Sequence, residues 1–177
     1  MAGVSARTAN WRLFGGSALL IAGILLVLAY FATTLSFLTP LGYLVLAAGL
    51  VIVAFGQTGG NGAVGKDTLG RVALVVYAAG WVLLAIAALV ALPAGARVIA
   101  GLFIIVGGLV SAWAIYRSGV AKGAARWILF LPAVVGAIWA LSFITASLAL
   151  PAWFALILAI LFAVAGALYL LNDRKLG

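Results

Sequence analysis

Six long apolar stretches, separated by short polar connections, take up almost the whole chain, and no charge falls within their interiors. Each reaches the roughly 20 residues that an α-helix needs to cross about 30 Å of hydrocarbon. The pattern predicts an all-α integral membrane protein whose six transmembrane helices cover 13–35, 38–56, 71–91, 98–116, 127–148 and 151–171. So little chain lies outside these spans that a single transmembrane domain over 1–177 is expected, with no soluble unit beside it.

The first span follows Arg7 and Arg12, a basic flank like that of a secretory signal. Its apolar run exceeds the roughly 7–15 residues of a cleavable segment, and no small-residue cleavage signature follows, so a signal anchor is expected. The outer connections are short, 92–97 and 149–151, and Pro40, Pro93 and Pro151 fall at the outer turns. Consecutive helices joined so tightly form antiparallel hairpins, here 13–56, 71–116 and 127–171, with a glycine-rich cytoplasmic loop over 57–70.

Composition agrees with that class. The chain has 177 residues, 68% hydrophobic and 7% charged, against about 25% charged in soluble domains. Cysteine and histidine are both absent, which excludes disulfides, thiol redox chemistry, haem ligation and the usual soft-metal ligands. No metal, no cofactor and no catalytic residue is expected.

Charge sets the orientation. With the N-terminus in the cytoplasm, Arg7, Arg12, Lys66, Arg71, Arg117, Lys122, Arg126, Arg174 and Lys175 lie on that side and only Arg97 lies outside, in accord with the positive-inside rule. Both termini are then cytoplasmic. The net charge of +8 is spread through short loops without an aromatic-interleaved patch, so it predicts contact with anionic lipid headgroups and no nucleic-acid partner. Trp11, Trp113, Tyr116, Trp127, Trp153 and Tyr169 fall near helix ends, where amphipathic rings form an interfacial belt.

Glycines suggest a hairpin written three times. Gly23, Gly80 and Gly136 on the odd spans are 57 and 56 residues apart, and Gly49, Gly108 and Gly166 on the even spans are 59 and 58 apart. A parallel repeat of this kind predicts a pseudo-threefold bundle about the membrane normal, not the inverted repeat of many alternating-access transporters. These six glycines are the expected helix-packing positions, because small residues let backbones approach closely in lipid. The fifth span departs from the small-residue pattern, with Leu129 and Phe143 flanking Gly136, and is expected to sit looser or to face a different neighbour. Ala155, Ala159, Ala163 and Ala167 form a second ribbon of small residues on the sixth.

Candidate chemistry is sparse. The two acids, Asp67 and Asp173, lie in cytoplasmic segments, so no intramembrane carboxylate is present to relay protons or to hold a coupling cation. Tyr30, Thr33, Thr34, Tyr43, Ser142 and Thr145 cluster in the outer half and are candidates to line a small pocket; alternatively the hydroxyls bond their own helix carbonyls. Trp81 and Trp139 fall near the middle of the third and fifth spans, where an indole N–H lacks water; core packing and ligand stacking are both open. Residues 60–66 reproduce the spacing of a phosphate-binding loop, but Asp67 follows where a Ser or Thr hydroxyl is needed and the flanks are membrane helices, so a flexible linker is expected instead.

Gly23-Ile24-Leu25-Leu26 with Gly49-Leu50-Val51-Ile52, and Gly80-Trp81-Val82-Leu83 with Gly107-Gly108-Leu109-Val110, resemble the HdeD-like acid-resistance membrane proteins; the third hairpin matches in outline through Gly136 and Gly166. The resemblance implies a stress-associated protein of the bacterial cytoplasmic membrane, without a defined catalytic site. Three functions stay open: a non-catalytic structural or accessory subunit, in a homo-oligomer or a larger membrane complex; a small transporter or substrate-binding subunit for an apolar or weakly polar ligand, docking through the alanine ribbon; and an oligomeric pore.

Overall fold

The computed structural model describes residues 5–56, 62–145 and 148–171, with side chains from Trp11 onward. Within them the chain forms α1 (Ser5–Phe31), α2 (Leu38–Phe55), α3 (Thr68–Leu89), α4 (Ala94–Ser118), α5 (Phe130–Ile144) and α6 (Trp153–Leu171), with a 3₁₀ turn over Gly123–Arg126. Six segments are long and apolar enough to cross a membrane, and the bundle is that of a multi-pass membrane protein. Along the helices its outer surface is apolar, with side chains such as Ile24, Leu44, Val75, Leu102, Val134 and Ile160 exposed, as lipid requires.

Local chemistry explains where elements begin and end. α1 stops at Phe31, short of the expected 35, so Thr33 and Thr34 lie in the turn to α2. Pro40 then sits in the first turn of α2, where a missing N–H is harmless. Asp67 caps α3 by accepting from Leu69 N at 3.0 Å, so the helix starts at Thr68 and the connection is shorter than 57–70. The fifth span is not one helix from 127 to 148. Pro132 cannot follow a full α-helical turn, because its ring would strike the carbonyl of Ile128. The chain enters through the 3₁₀ turn, and α5 begins at Phe130 with Pro132 in its first turn.

The helices form an antiparallel ring in the order α5, α4, α3, α2, α1, α6. Backbones touch where side chains are smallest. A Cβ on Gly107 of α4 would lie 2.5 Å from Tyr77 N of α3, and one on Gly23 of α1 would lie 2.5 Å from Ala163 N of α6. An added Cβ on Gly49 would lie 3.0 Å from Ala18 Cβ across α1 and α2, and one on Gly101 would lie 3.1 Å from Ala140 O across α4 and α5. Gly166 of α6 rests directly on the backbone of Gly16 and Leu20 of α1.

The ring is uneven. A strict threefold would pack α5 on α6 as α1 packs on α2, but α5 and α6 meet only sparsely, and α6 lies along α1 instead. The glycines spaced by about 57 accordingly face unlike neighbours: Gly23 meets α6, Gly80 meets its own hairpin partner, where an added Cβ would lie 3.0 Å from Ala100 O, and at Gly136 an added Cβ would make only ordinary contacts, the nearest at 3.7 Å. The tight approach on α4 falls at Gly107, whereas an added Cβ on Gly108 would lie 3.3 Å from the Tyr77 ring.

At the end of the ring that holds the N-terminus of α1, the connection after α2 is packed, which corrects the flexible-linker expectation for its described part. Gly60 and Asn61 lie outside the described residues, but Ala63 and Val64 are buried, Ala63 N bonds Val53 O at 2.8 Å, Arg71 donates to Gly65 O at 2.7 Å and Ser118 Oγ to Ala63 O at 2.8 Å. Arg12, Lys66, Arg71, Arg117, Lys122 and Arg126 share this end, with Arg97 at the other. Asp173, Arg174 and Lys175 lie outside the described residues, as does the side chain of Arg7. Trp113, Trp127 and Trp153 are exposed at helix ends, Tyr116 half-exposed. Trp11 and Tyr169 are not belt residues: both are buried, ring against ring at 5.6 Å, because these faces of α1 and α6 pack on each other.

Candidate functional site

A cavity of about 160 Å³ opens at the end of the ring opposite the basic cluster, where α1 and α3 finish and α2 and α6 begin. Leu26, Ala29 and Tyr30 of α1, Thr39 and Tyr43 of α2, Trp81 of α3, Trp139 of α5 and Ala155, Leu158 and Ala159 of α6 form its wall. Antiparallel packing brings these positions to one level, since each lies within a few turns of the same end of the bundle.

The floor is aromatic. Trp81 is 1% exposed and stacks on Trp139 with ring centroids 5.8 Å apart and planes 13° from parallel. Phe162 meets Trp81 edge-on at 5.5 Å, Tyr43 lies against it at 5.3 Å, and Phe143 braces Trp139 at 4.7 Å. One turn below Trp81, Tyr77 is fully buried at the bundle centre. Neither Tyr77 Oη nor Trp81 Nε1 has a hydrogen-bond partner among the described residues, although the two rings lie 6.0 Å apart.

Polarity is graded along the cavity. Tyr30 is at the last turn of α1 and Thr39 at the first turn of α2, so their hydroxyls belong to the mouth; Tyr43 is one turn deeper, on the same face as Thr39. Among the described residues the lining contains no carboxylate, amine or guanidinium. Such a site suits shape and ring stacking, with a few hydroxyls to orient a guest.

Trp81, Trp139, Tyr30 and Tyr43 thus come together, while the other candidates do not join them. Thr33 and Thr34 are exposed in the α1–α2 turn. Ser142 Oγ donates to Trp139 O at 2.6 Å and Thr145 Oγ1 to Leu141 O at 2.8 Å, each bonding its own helix. Ser142 borders a separate depression with Arg97, between the start of α4 and the end of α5. Thr39, absent from the candidates read from the sequence, joins the lining, and its spacing of four from Tyr43 puts both on one helical face. The alanine ribbon is divided: Ala159 and Ala163 are taken up by Gly23 of α1, and Ala155 faces the cavity. Compared with known protein families, with curated proteins and with solved structures, the chain has no match in any of the three.

Proposed function

We propose that the chain is a non-catalytic membrane protein that binds one small, apolar to weakly polar molecule, as the substrate-binding part of a transport or uptake system in the bacterial cytoplasmic membrane. The supporting observation is the cavity, whose floor is Trp81 and Trp139 and whose mouth carries hydroxyls. At about 160 Å³ it resembles in size the engineered cavity of about 150 Å³ that admits benzene. The guest is therefore about one ring in size, or is the ring end of a longer molecule. The basic residues gathered at the opposite end support a reading with that end in the cytoplasm and the cavity mouth facing outward. Docking of a partner through the alanine ribbon is disfavoured, since Ala159 and Ala163 are already engaged within the chain.

The test is a titration of purified protein in nanodiscs with phenol and with toluene, followed by tryptophan fluorescence. Saturable quenching at one molecule per chain is expected for both, on top of linear partitioning. Removing the hydroxyl in Tyr43→Phe should weaken phenol by about 1 kcal/mol, the net worth of one hydrogen bond, and leave toluene unchanged. Quenching that rises only linearly with both molecules sinks the reading.

A further inference from the structure

We infer that the guest reaches the cavity from within the bilayer, sideways through the gap between α5 and α6, so that its class is a lipid-dissolved ring compound and not a water-borne solute. The inference rests on the cavity being a binding site and adds the route by which it fills.

Neighbouring helices elsewhere in the ring are in extensive contact, and most of those interfaces have backbone against backbone at glycine; α5 and α6 meet only sparsely. The cavity lies directly behind that gap, because Trp139 comes from α5, while Ala155, Leu158 and Ala159 come from α6. Along the gap the small residue is Gly136, whose missing side chain leaves 3.7 Å to Leu158 Cδ1, an ordinary contact with none of the interlock seen at Gly166 or Gly107. α5 is the shortest of the six helices and is held to α4 on its other side through Gly101 and Ala140. Trp139 therefore acts as the shutter, stacked on Trp81 when the gap is closed. Residues facing the route are carbon-rich, which favours a guest already in hydrocarbon and penalises a hydrated one.

The chain has no cysteine, so Gly136→Cys with Leu158→Cys supplies the only two thiols, one on each side of the gap. Trp113→Phe, Trp127→Phe and Trp153→Phe remove the exposed indoles, leaving Trp81 and Trp139 to report and Trp11 as the buried reference at the far end. Bromobenzene, dissolved in the nanodisc bilayer, serves as the quenching probe in stopped-flow measurements before and after a short bis-alkylating reagent joins the thiols. The expected result is association and dissociation both slowed by about a decade, read as the ratio of rates in the same variant before and after the link is made. Equal rates before and after cross-linking overturn the lateral route and assign filling to the mouth. Absence of saturable quenching even without the cross-link overturns the binding-site reading itself.

Discussion

Gly166→Ala is expected to destabilise the bundle by about 3 kcal/mol, the upper end for forcing one extra methyl group into a packed interior. The added Cβ meets backbone, Leu20 N and Gly16 O, and no side-chain rotation can clear it. α1 and α6 must therefore move apart, and the small-residue interface that joins them is lost along its length. Stepwise unfolding in mixed SDS micelles measures the effect. Gly136→Ala is the control. Its nearest atoms, on Ile104, Leu158 and Tyr77, are all 3.7 Å from the new methyl group, so the change should be within about 1 kcal/mol of neutral, with a helix-propensity gain of that order possible only here. Equal losses for the two variants contradict the packing described.

Trp81→Ala should show the second large effect, on stability and binding together. Lipid is as apolar as the core, so burying Trp81 brings no hydrophobic transfer energy, and its contribution is packing. Losing ring contacts to Tyr43, Tyr77, Trp139 and Phe162 should cost about 3 kcal/mol, the low end for a large aromatic truncated to alanine. Saturable quenching by phenol or toluene should vanish, because the floor of the cavity is gone. Thermal unfolding in nanodiscs checks the first, and titration of the folded fraction the second. A variant that is destabilised yet binds as before would show that the ring is core and nothing more.

The six spans were legible because length and hydropathy alone decide what crosses a bilayer. Boundaries were legible only where local chemistry is loud. Asp67 and Pro132 shifted the starts of α3 and α5 through a cap and a steric clash, which a hydropathy reading passes over. Glycines marked close approach, but not between which helices: nothing in the residues around Gly166 says that Gly16 and Leu20 will meet it in place of α5. For the same reason Trp11 and Tyr169 read as belt residues by position and are core by partner. The cavity was half legible. Trp81, Trp139, Tyr30 and Tyr43 are large amphipathic rings in an otherwise aliphatic setting, whereas Ser142 and Thr145, equally polar on paper, are silenced by carbonyls of their own helix.

The pairing of α6 with α1 also has a temporal meaning. α1 emerges from the ribosome first, with Gly16 and Gly23 on a face that only α6 covers. During synthesis α1 through α4 find their neighbours in order, but that face stays open to lipid until the last of the six helices has been inserted. Ring closure thus joins the two helices farthest apart in sequence, a pairing of long sequence range that can form only after α6 is in place.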